Sequence, residues 1–260
     1  MKNSILSGGQ TGTITYGTCC GMTAIGGRKS NEDAIGILAL EDAVLLVVAD
    51  GLGGHRDGEV ASAMAVRILC EEIKGSYRPG MPDEDRKKLL SDAFKAAHIQ
   101  LRSEAILRQN NLDTTLVAVL LSKSSAVVAN TGDSRAYLFS HEADGGYSVS
   151  FETKDHSAVR ELVDSGVISP EEGKGHPMAG VLTHTLRGAF EVDVSVPVRD
   201  RDVVVVMSDG VWGVIGENTI CKVLERGGSA KEVCETIMAE AERMATDNIS
   251  LIVGLERDHP

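Results

Sequence analysis

Two apolar runs of the sequence each end at an aspartate that is followed by glycine. Residues 44–49 lead into Asp50-Gly51, and residues 202–208 lead into Asp209-Gly210. Runs of this length and β-branched content are typical of strands buried on both faces. A carboxylate at the mouth of a packed core is costly unless a positive charge neutralises it. The two runs therefore indicate a shared site at which carboxylates bind a metal ion.

Further acidic residues stand in turns or at the predicted boundaries of other strands. Carboxylates and backbone carbonyls without an accompanying His-Cys cluster select Mg²⁺ or Mn²⁺ over zinc. Several carboxylates at one place repel each other unless more than one cation binds, which favours a binuclear centre. Such a centre ionises a bridging water for in-line attack on phosphorus, and an arginine fork suits the phosphoryl oxygens. Spacing alone thus indicates a metal-dependent phosphoryl hydrolase with the candidate residues Arg28, Glu32, Asp33, Asp50, Gly51, Asp133, Asp209 and Asp247.

Composition limits the classes of partner and compartment. The formal net charge of −12 argues against nucleic acid or an anionic membrane surface as the main partner. No apolar run reaches the roughly 18 residues that a membrane span requires, and the N-terminus lacks the apolar segment of a secretory signal. The five cysteines include no Cys-x-x-Cys pair, so core packing in a reducing compartment is expected. We therefore expect a cytoplasmic protein.

The elements that must position these residues come in clusters of strands and of helices. The short connection 131–134 requires antiparallel pairing of its two strands. Residues 1–13 are expected to form a flexible tail, and the Gly- and Pro-punctuated residues 166–188 a surface flap near the site. Because candidate residues lie near both ends of the chain, residues 14–256 are predicted to form a single α+β domain of antiparallel sheets covered by helices. Strands are predicted over residues 14–25, 35–40, 44–49, 114–121, 126–130, 135–139, 202–208 and 249–255, and helices after residues 57, 82, 156 and 229.

The candidate residues also follow the order and spacing of a known family. The sequence resembles the type 2C metal-dependent protein phosphatases of the bacterial serine/threonine type over roughly residues 14–255. Segment 162–186 resembles the flap of the bacterial members. The motifs that carry the resemblance are Arg28…Asn31-Glu32-Asp33-Ala34, Asp50-Gly51…Gly53-Gly54-His55, Gly132-Asp133-Ser134-Arg135, Asp209-Gly210 and Asp247-Asn248.

The resemblance implies a four-layer α-β-β-α sandwich, in which two antiparallel sheets are flanked by helices. It implies hydrolysis of phosphoserine and phosphothreonine in proteins, which reverses protein kinase signalling. The implied cofactors are two Mn²⁺ or Mg²⁺ ions per chain and a third, weaker ion. The implied partners are phosphorylated protein substrates and a cognate serine/threonine kinase, with no nucleic acid and no membrane, and the chain is expected to be a monomer.

The resemblance also assigns metal ligands by position. Asp50, Asp209 and Asp247 would bind one ion. Glu32, Asp50 and the carbonyl of Gly51 would bind the other, directly or through water.

The remaining roles implied by the resemblance concern water and phosphate. Asp33 would orient a metal-bound water, and Asp133 together with Asp209 would hold the third ion. Arg28 would grip the phosphate.

The sequence departs from the family pattern at several positions. Leu52 stands where eukaryotic members often carry a histidine proposed as general acid, so a water would have to protonate the leaving group. Asp113 precedes the threonine pair where glycine is usual. In the flap, Gly180 stands where asparagine is common, and His184 and Arg187 vary the usual ending. These departures bear on substrate preference more than on activity.

Two rival functions remain open from the sequence. One is a catalytically silent scaffold that binds phosphoproteins, and the other is a phosphatase for small phosphoesters or for regulators of a partner-switching pathway. A cysteine-dependent phosphatase is excluded, because Cys20 and Arg28 do not have the Cys-x5-Arg spacing. His55 is expected to be a turn residue and His156 to orient a loop.

Overall fold

The computed structural model describes residues 3–53, 56–123, 125–196 and 203–255. The strands in chain order are β1 (Asn3–Leu6), β2 (Gly12–Tyr16), β3 (Cys19–Ala24), β4 (Asp33–Ala39), β5 (Ala43–Leu52), β6 (Asp113–Thr114), β7 (Leu116–Ser122), β8 (Ala126–Thr131), β9 (Arg135–His141), β10 (Tyr147–Glu152), β11 (Asp193–Ser195), β12 (Val203–Met207) and β13 (Ile249–Gly254). The helices are α1 (Arg56–Ser76), α2 (Asp83–Arg108), α3 (Ala158–Asp164), α4 (Pro170–Gly173), α5 (Asp209–Trp212), α6 (Glu217–Glu225) and α7 (Ala230–Glu242).

The strands in these ranges form two antiparallel sheets. The first sheet has the order β1-β4-β5-β7-β8-β11, and β6 pairs with the end of β5. The second has the order β10-β9-β12-β13-β3-β2. Two pairs of neighbours in each sheet are consecutive in the chain, because two- to five-residue turns join them: β4 with β5 and β7 with β8 in the first sheet, and β2 with β3 and β9 with β10 in the second.

Three apolar layers hold the sheets and helices together. Leu69 of α1 and Phe94 of α2 pack against one face of the first sheet. Leu46 and Val206 belong to the layer between the two sheets. Ile237 of α7 packs in the layer that covers the outer face of the second sheet. The predicted four-layer α-β-β-α sandwich is therefore confirmed.

The layering explains why the strands that lead to the aspartates are apolar without alternation. A sheet covered by helices on one face and by the other sheet on the opposite face is buried on both sides. All residues of β4, β7, β8, β12 and β13 are accordingly buried. None of the helices in the described ranges is long and apolar enough to span a membrane.

The N-terminal prediction is wrong where the chain is described. Residues 3–13 do not form a loose tail, because β1 pairs with β4 and β2 begins at Gly12. The predicted strand 14–25 is instead a hairpin of β2 and β3, whose turn contains Gly17 at φ 58°. A four-residue edge strand has too few positions to show a period, so sequence pattern missed it. Residues 1–2, His55 and residue 256 lie outside the described ranges.

The segment predicted as a flap has little regular structure. It contains the single turn α4, which a capping box of Ser169 and Glu172 opens. Most of residues 166–181 are exposed. An isolated bridge between Ser157 and Leu182 ties the returning chain to the start of α3.

The layer between the sheets yields a stability prediction. Leu46→Ala is expected to lower the free energy of unfolding by about 2–5 kcal/mol, because it leaves a cavity where both faces are packed. Chemical denaturation measures the change. Leu107→Ala is the matched control, because Leu107 is 78% exposed on α2 and its truncation removes almost no buried surface. Equal effects of the two substitutions would contradict the assigned layering.

Candidate metal and phosphate site

The register of the two sheets brings distant parts of the chain to one end of the sandwich. In the first sheet, Asp33 at the start of β4 is the cross-strand partner of Asp50 near the end of β5. In the second sheet, Met207 at the end of β12 pairs with Arg135 at the start of β9 and with Leu251 of β13. Antiparallel pairing thus places the residues that follow β12 beside those that precede β9 and β13. These flanking positions carry Asp209, Asp133 and Asp247.

Four of the predicted carboxylates are close enough to raise one another's pKa. Burial raises the pKa of Asp50 well above its ordinary value, and repulsion from Asp33, Asp209 and Asp133 adds to the rise. Burial also raises the pKa of Asp33 to about 7, against hydrogen bonds from serine hydroxyls. The pKa of Asp133 rises to about 7 through burial and repulsion from Asp209. A cluster of this kind strongly favours a bound cation.

Asp50 and Asp209 form the centre of the cluster. A hydrogen bond between their carboxyl groups adds to the rise in the pKa of Asp50 and opposes the rise in the pKa of Asp209. Burial also raises the pKa of Asp209. One buried oxygen of Asp209, Oδ1, has no hydrogen-bond partner, and the same is true of Asp33 Oδ1. Buried oxygens without donors are the feature that a cation would satisfy.

Two glycines allow helix α1 to approach this centre. A Cβ atom on Gly58 would lie 2.1 Å from Glu32 Oε2 and 2.9 Å from the carbonyl oxygen of Gly51. A Cβ atom on Gly51 would lie 2.2 Å from the carbonyl oxygen of Gly58. Both positions therefore require glycine, and the first turn of α1 packs directly against Gly51 and the Glu32 side chain.

Arg28 and Asp247 form an ion pair at the edge of the cluster. Their Nη2 and Oδ2 atoms are 2.5 Å apart, and both side chains are partly exposed. The Asp247 carboxylate raises the pKa of Arg28 through this hydrogen bond. Asn248 fixes the same corner, because its Oδ1 accepts from the Glu32 amide at 2.9 Å and its Nδ2 donates to two backbone carbonyls of residues 25 and 30.

Several hydroxyl groups that were not among the predicted site residues form hydrogen bonds to the carboxylates or to their main chain. Ser208 Oγ donates to Asp33 Oδ2 at 2.9 Å. Thr115 Oγ1 accepts from the Asp50 amide at 3.0 Å, and Thr114 Oγ1 donates to the Asp50 carbonyl at 2.7 Å. Ser62 Oγ donates to the Glu32 carbonyl at 2.5 Å. A signal was present in the sequence, since each hydroxyl lies within a candidate motif or beside one.

The structure brings the candidates to one end of the sandwich, where four of them form two direct pairs. Among the described residues, no group of three or more His, Cys, Asp or Glu side chains could hold a metal ion as they stand. Asp50 pairs with Asp209, and Asp247 pairs with Arg28. The donor set nevertheless fits a hard divalent cation, because it consists of buried carboxylates with two unpartnered oxygens.

Comparison with known proteins decides the family. The model of the protein phosphatase 2C family matches residues 20–243. A serine/threonine phosphatase stp of Listeria monocytogenes is 34% identical over 239 residues, which cover 89% of this chain and 92% of the relative. The chain belongs to the protein phosphatase 2C family. It is a serine/threonine protein phosphatase.

Solved structures of related phosphatases share the fold. Serine/threonine phosphatase Stp1 from Staphylococcus aureus has a TM-score of 0.81 and 29% identity, with 94% of this chain and 96% of that chain covered. The catalytic domain of serine/threonine protein phosphatase PstP, solved in complex with two manganese ions, has a TM-score of 0.73 and 27% identity and covers 91% of this chain and 96% of its own.

The raised pKa values predict how the stability of this phosphatase depends on pH once metal has been removed. Asp33 and Asp133 hold protons in the folded protein up to about pH 7, whereas the unfolded chain releases them near 3.8. The folded state therefore binds more protons in this window, and its stability falls as the pH rises from about 4 to about 7. Thermal unfolding in EDTA across this range measures the slope.

Asp33→Asn provides the comparison for this slope, because asparagine does not titrate and preserves the side-chain shape. The variant is expected to lose less stability between about pH 5 and pH 7.5 than the wild type. Excess Mn²⁺ is expected to raise the unfolding midpoint more at the higher pH. A wild-type slope equal to that of the variant would contradict the raised pKa of Asp33.

Proposed function

We propose that this phosphatase hydrolyses phosphoserine and phosphothreonine esters of proteins with two Mn²⁺ or Mg²⁺ ions held at the carboxylate cluster. Asp50, Asp209 and Asp247 would hold one ion, and Glu32, Asp50 and the Gly51 carbonyl the other. A third, weaker ion would lie between Asp133 and Asp209. The observation that carries the proposal is the mutually repelling set of the buried Asp33 and Asp133 and the half-buried Asp50 and Asp209.

Bound divalent cations would neutralise this charge and lower the pKa of water to supply hydroxide for attack on phosphorus. The chain's own residues have separate tasks. Ser208 fixes Asp33 through Oδ2 and leaves Oδ1 without a donor. That oxygen is therefore available to accept a hydrogen bond from the attacking water and to orient it.

Arg28 would bind two oxygens of the phosphoryl group with its planar fork of donors. In the structure this fork contacts Asp247. A cation that binds Asp247 would break this ion pair and leave Arg28 free to bind phosphate. A phosphate that binds Arg28 would likewise leave Asp247 free to bind the cation. Cation and phosphate are expected to bind cooperatively.

The residue after Gly51 is apolar, so it gives no proton to the leaving oxygen. Leu52 is half-buried, and its main chain pairs with Asp113. We infer that a water protonates the serine or threonine oxygen as the ester bond breaks. The proposed substrates are phosphorylated proteins, including the targets of a cognate serine/threonine kinase, and the proposed active form is a monomer.

Asp50→Asn and Asp209→Asn are each expected to reduce kcat for p-nitrophenyl phosphate with Mn²⁺ by at least about a hundredfold, because each removes a ligand that positions the nucleophile. EDTA is expected to abolish turnover of the wild type. Asp144→Asn is the control, since Asp144 lies in the exposed β9–β10 turn. Neither active-site substitution should lower the unfolding temperature in EDTA, because each removes a buried charge. Wild-type turnover in either variant would reject the metal assignment.

Arg28→Ala tests the phosphate contact. It is expected to raise KM for a phosphopeptide by about tenfold or more and to change kcat less, because a charge-assisted fork to the substrate is lost. Arg67→Ala is the matched control, because Arg67 is an exposed arginine of α1 that pairs with Glu71. An unchanged KM in Arg28→Ala would remove Arg28 from the phosphate site.

A further inference from the structure

The returning end of the flap is attached beside the candidate metal ligands. The amide of Leu186 donates to the carbonyl of Thr114 at 2.9 Å. Thr114 is the cross-strand partner of Gly51, and its hydroxyl donates to the Asp50 carbonyl at 2.7 Å. One residue therefore joins the flap to the strand that carries Asp50 and Gly51.

Asp113, the residue before Thr114, stabilises this attachment with its side chain. Its Oδ2 accepts from the hydroxyl of Thr185 at 2.7 Å, and its Oδ1 accepts from the amide of Arg187 at 2.9 Å. The Nε atom of Arg187 lies 3.9 Å from Oδ2, and the Asp113 side chain is 14% exposed. Hydrogen bonds to a largely buried carboxylate are stronger than neutral ones. We call residues 113 and 185–188 the flap latch.

The flap latch is closely fitted around Thr185. The amide of Gly188 donates to Thr185 Oγ1 at 3.0 Å, and a Cβ atom at position 188 would lie 2.6 Å from that oxygen. Helix α2 holds the same segment from the other side, because His98 Nδ1 lies 2.6 Å from the carbonyl oxygen of Leu186. The Leu186 side chain is fully buried in the core under the first sheet.

A second attachment joins the segment that leads into the flap to the residue before Asp133. The amide of His156 donates to the carbonyl of Gly132 at 2.9 Å, and the amide of Thr183 donates to the carbonyl of His156. Gly132 directly precedes Asp133. Between its two attachments the flap is open, with Val167, Met178 and Val181 exposed. The flap is therefore held by two small sets of hydrogen bonds next to candidate site residues, by the Ser157–Leu182 bridge and by the buried Leu186 side chain.

We propose that Asp113 is a positioning residue that, through Thr185 and the Arg187 amide, holds the flap where it contacts the polypeptide around the phosphorylated residue. The proposal rests on the phosphatase activity of the carboxylate cluster. A small aryl phosphate would reach only the carboxylate cluster and Arg28, whereas a phosphopeptide would extend past them toward the flap. Release of the flap latch should thus weaken peptide recognition and leave the chemical step on small substrates nearly intact.

The test compares two substrates in two variants that open the flap latch differently. Asp113→Ala removes both acceptors, and Thr185→Val removes the hydroxyl at nearly constant volume. Both are expected to raise KM for a phosphothreonine peptide about five- to tenfold, the factor expected from the loss of one ordinary hydrogen bond. kcat for p-nitrophenyl phosphate should stay within about twofold. Thr185→Ser restores the donor and should restore the peptide KM.

Asp92→Ala is the matched control, because it removes an exposed aspartate of α2 that pairs with Lys88 and Lys95 of the same helix. Asp92→Ala should change neither KM for the phosphopeptide nor kcat for p-nitrophenyl phosphate. Hydrogen exchange of the amides at 186–188 should accelerate in Asp113→Ala and Thr185→Val, and this readout does not depend on catalysis. If the wild-type protein were inactive on both substrates, the proposed function would be rejected. Hydrogen exchange of the amides at 186–188 would then still test whether Asp113 and Thr185 hold the flap. An unchanged peptide KM, an equal loss on both substrates or unchanged exchange would overturn the proposed role of Asp113.

Discussion

Repulsion among buried carboxylates is the constraint on which the rest of this structure depends. Asp33, Asp50 and Asp209 have lost most of their contact with water and face one another, so their charged forms are disfavoured in the protein alone. A buried charge without a partner costs several kcal/mol. The fold must therefore be rigid enough to hold the groups together until cations neutralise them. Strands paired on both edges and packed on both faces provide that rigidity, which a set of surface loops would not.

The support of the cluster comes mostly from main-chain and hydroxyl groups. Ser208, Ser250 and Thr23 form a buried chain of hydrogen bonds, which begins at Asp33 and ends at Asn31. All members of this chain between Asp33 and Asn31 are neutral, so the network fixes the carboxylate without adding charge. A lysine or arginine in the same place would hold Asp33 more strongly, but it would also compete with the cations. Neutral residues therefore hold the carboxylates in place, and the carboxylates remain the charged groups that would bind cations.

The sequence predicted the chemistry of the site better than its geometry. Residue type and strand boundaries identified Asp50 and Asp209, because an acidic residue after an apolar run is unusual and costly. The four-layer fold followed from the family resemblance, whereas the residues alone indicated antiparallel sheets covered by helices. Pattern could not reveal the short edge strand β1, whose pairing with β4 depends on tertiary contact. Nor could it show that Arg28 contacts Asp247, because which cation meets which carboxylate depends on side-chain positions that no periodicity records.

The sandwich that carries the carboxylate cluster and the flap attached beside it differ in how they are held. The strands β4, β7, β8, β12 and β13 are held by ladders of hydrogen bonds and are buried on both faces. The flap is held by one isolated bridge and a few bonds at its two attachments. Segments with few buried contacts open at lower free energy than core strands. Changes at the attachments can therefore alter recognition without disturbing the carboxylates. Asp113 lies at such an attachment, where its carboxylate accepts from the Thr185 hydroxyl and the Arg187 amide beside the main-chain bond from Leu186 to Thr114.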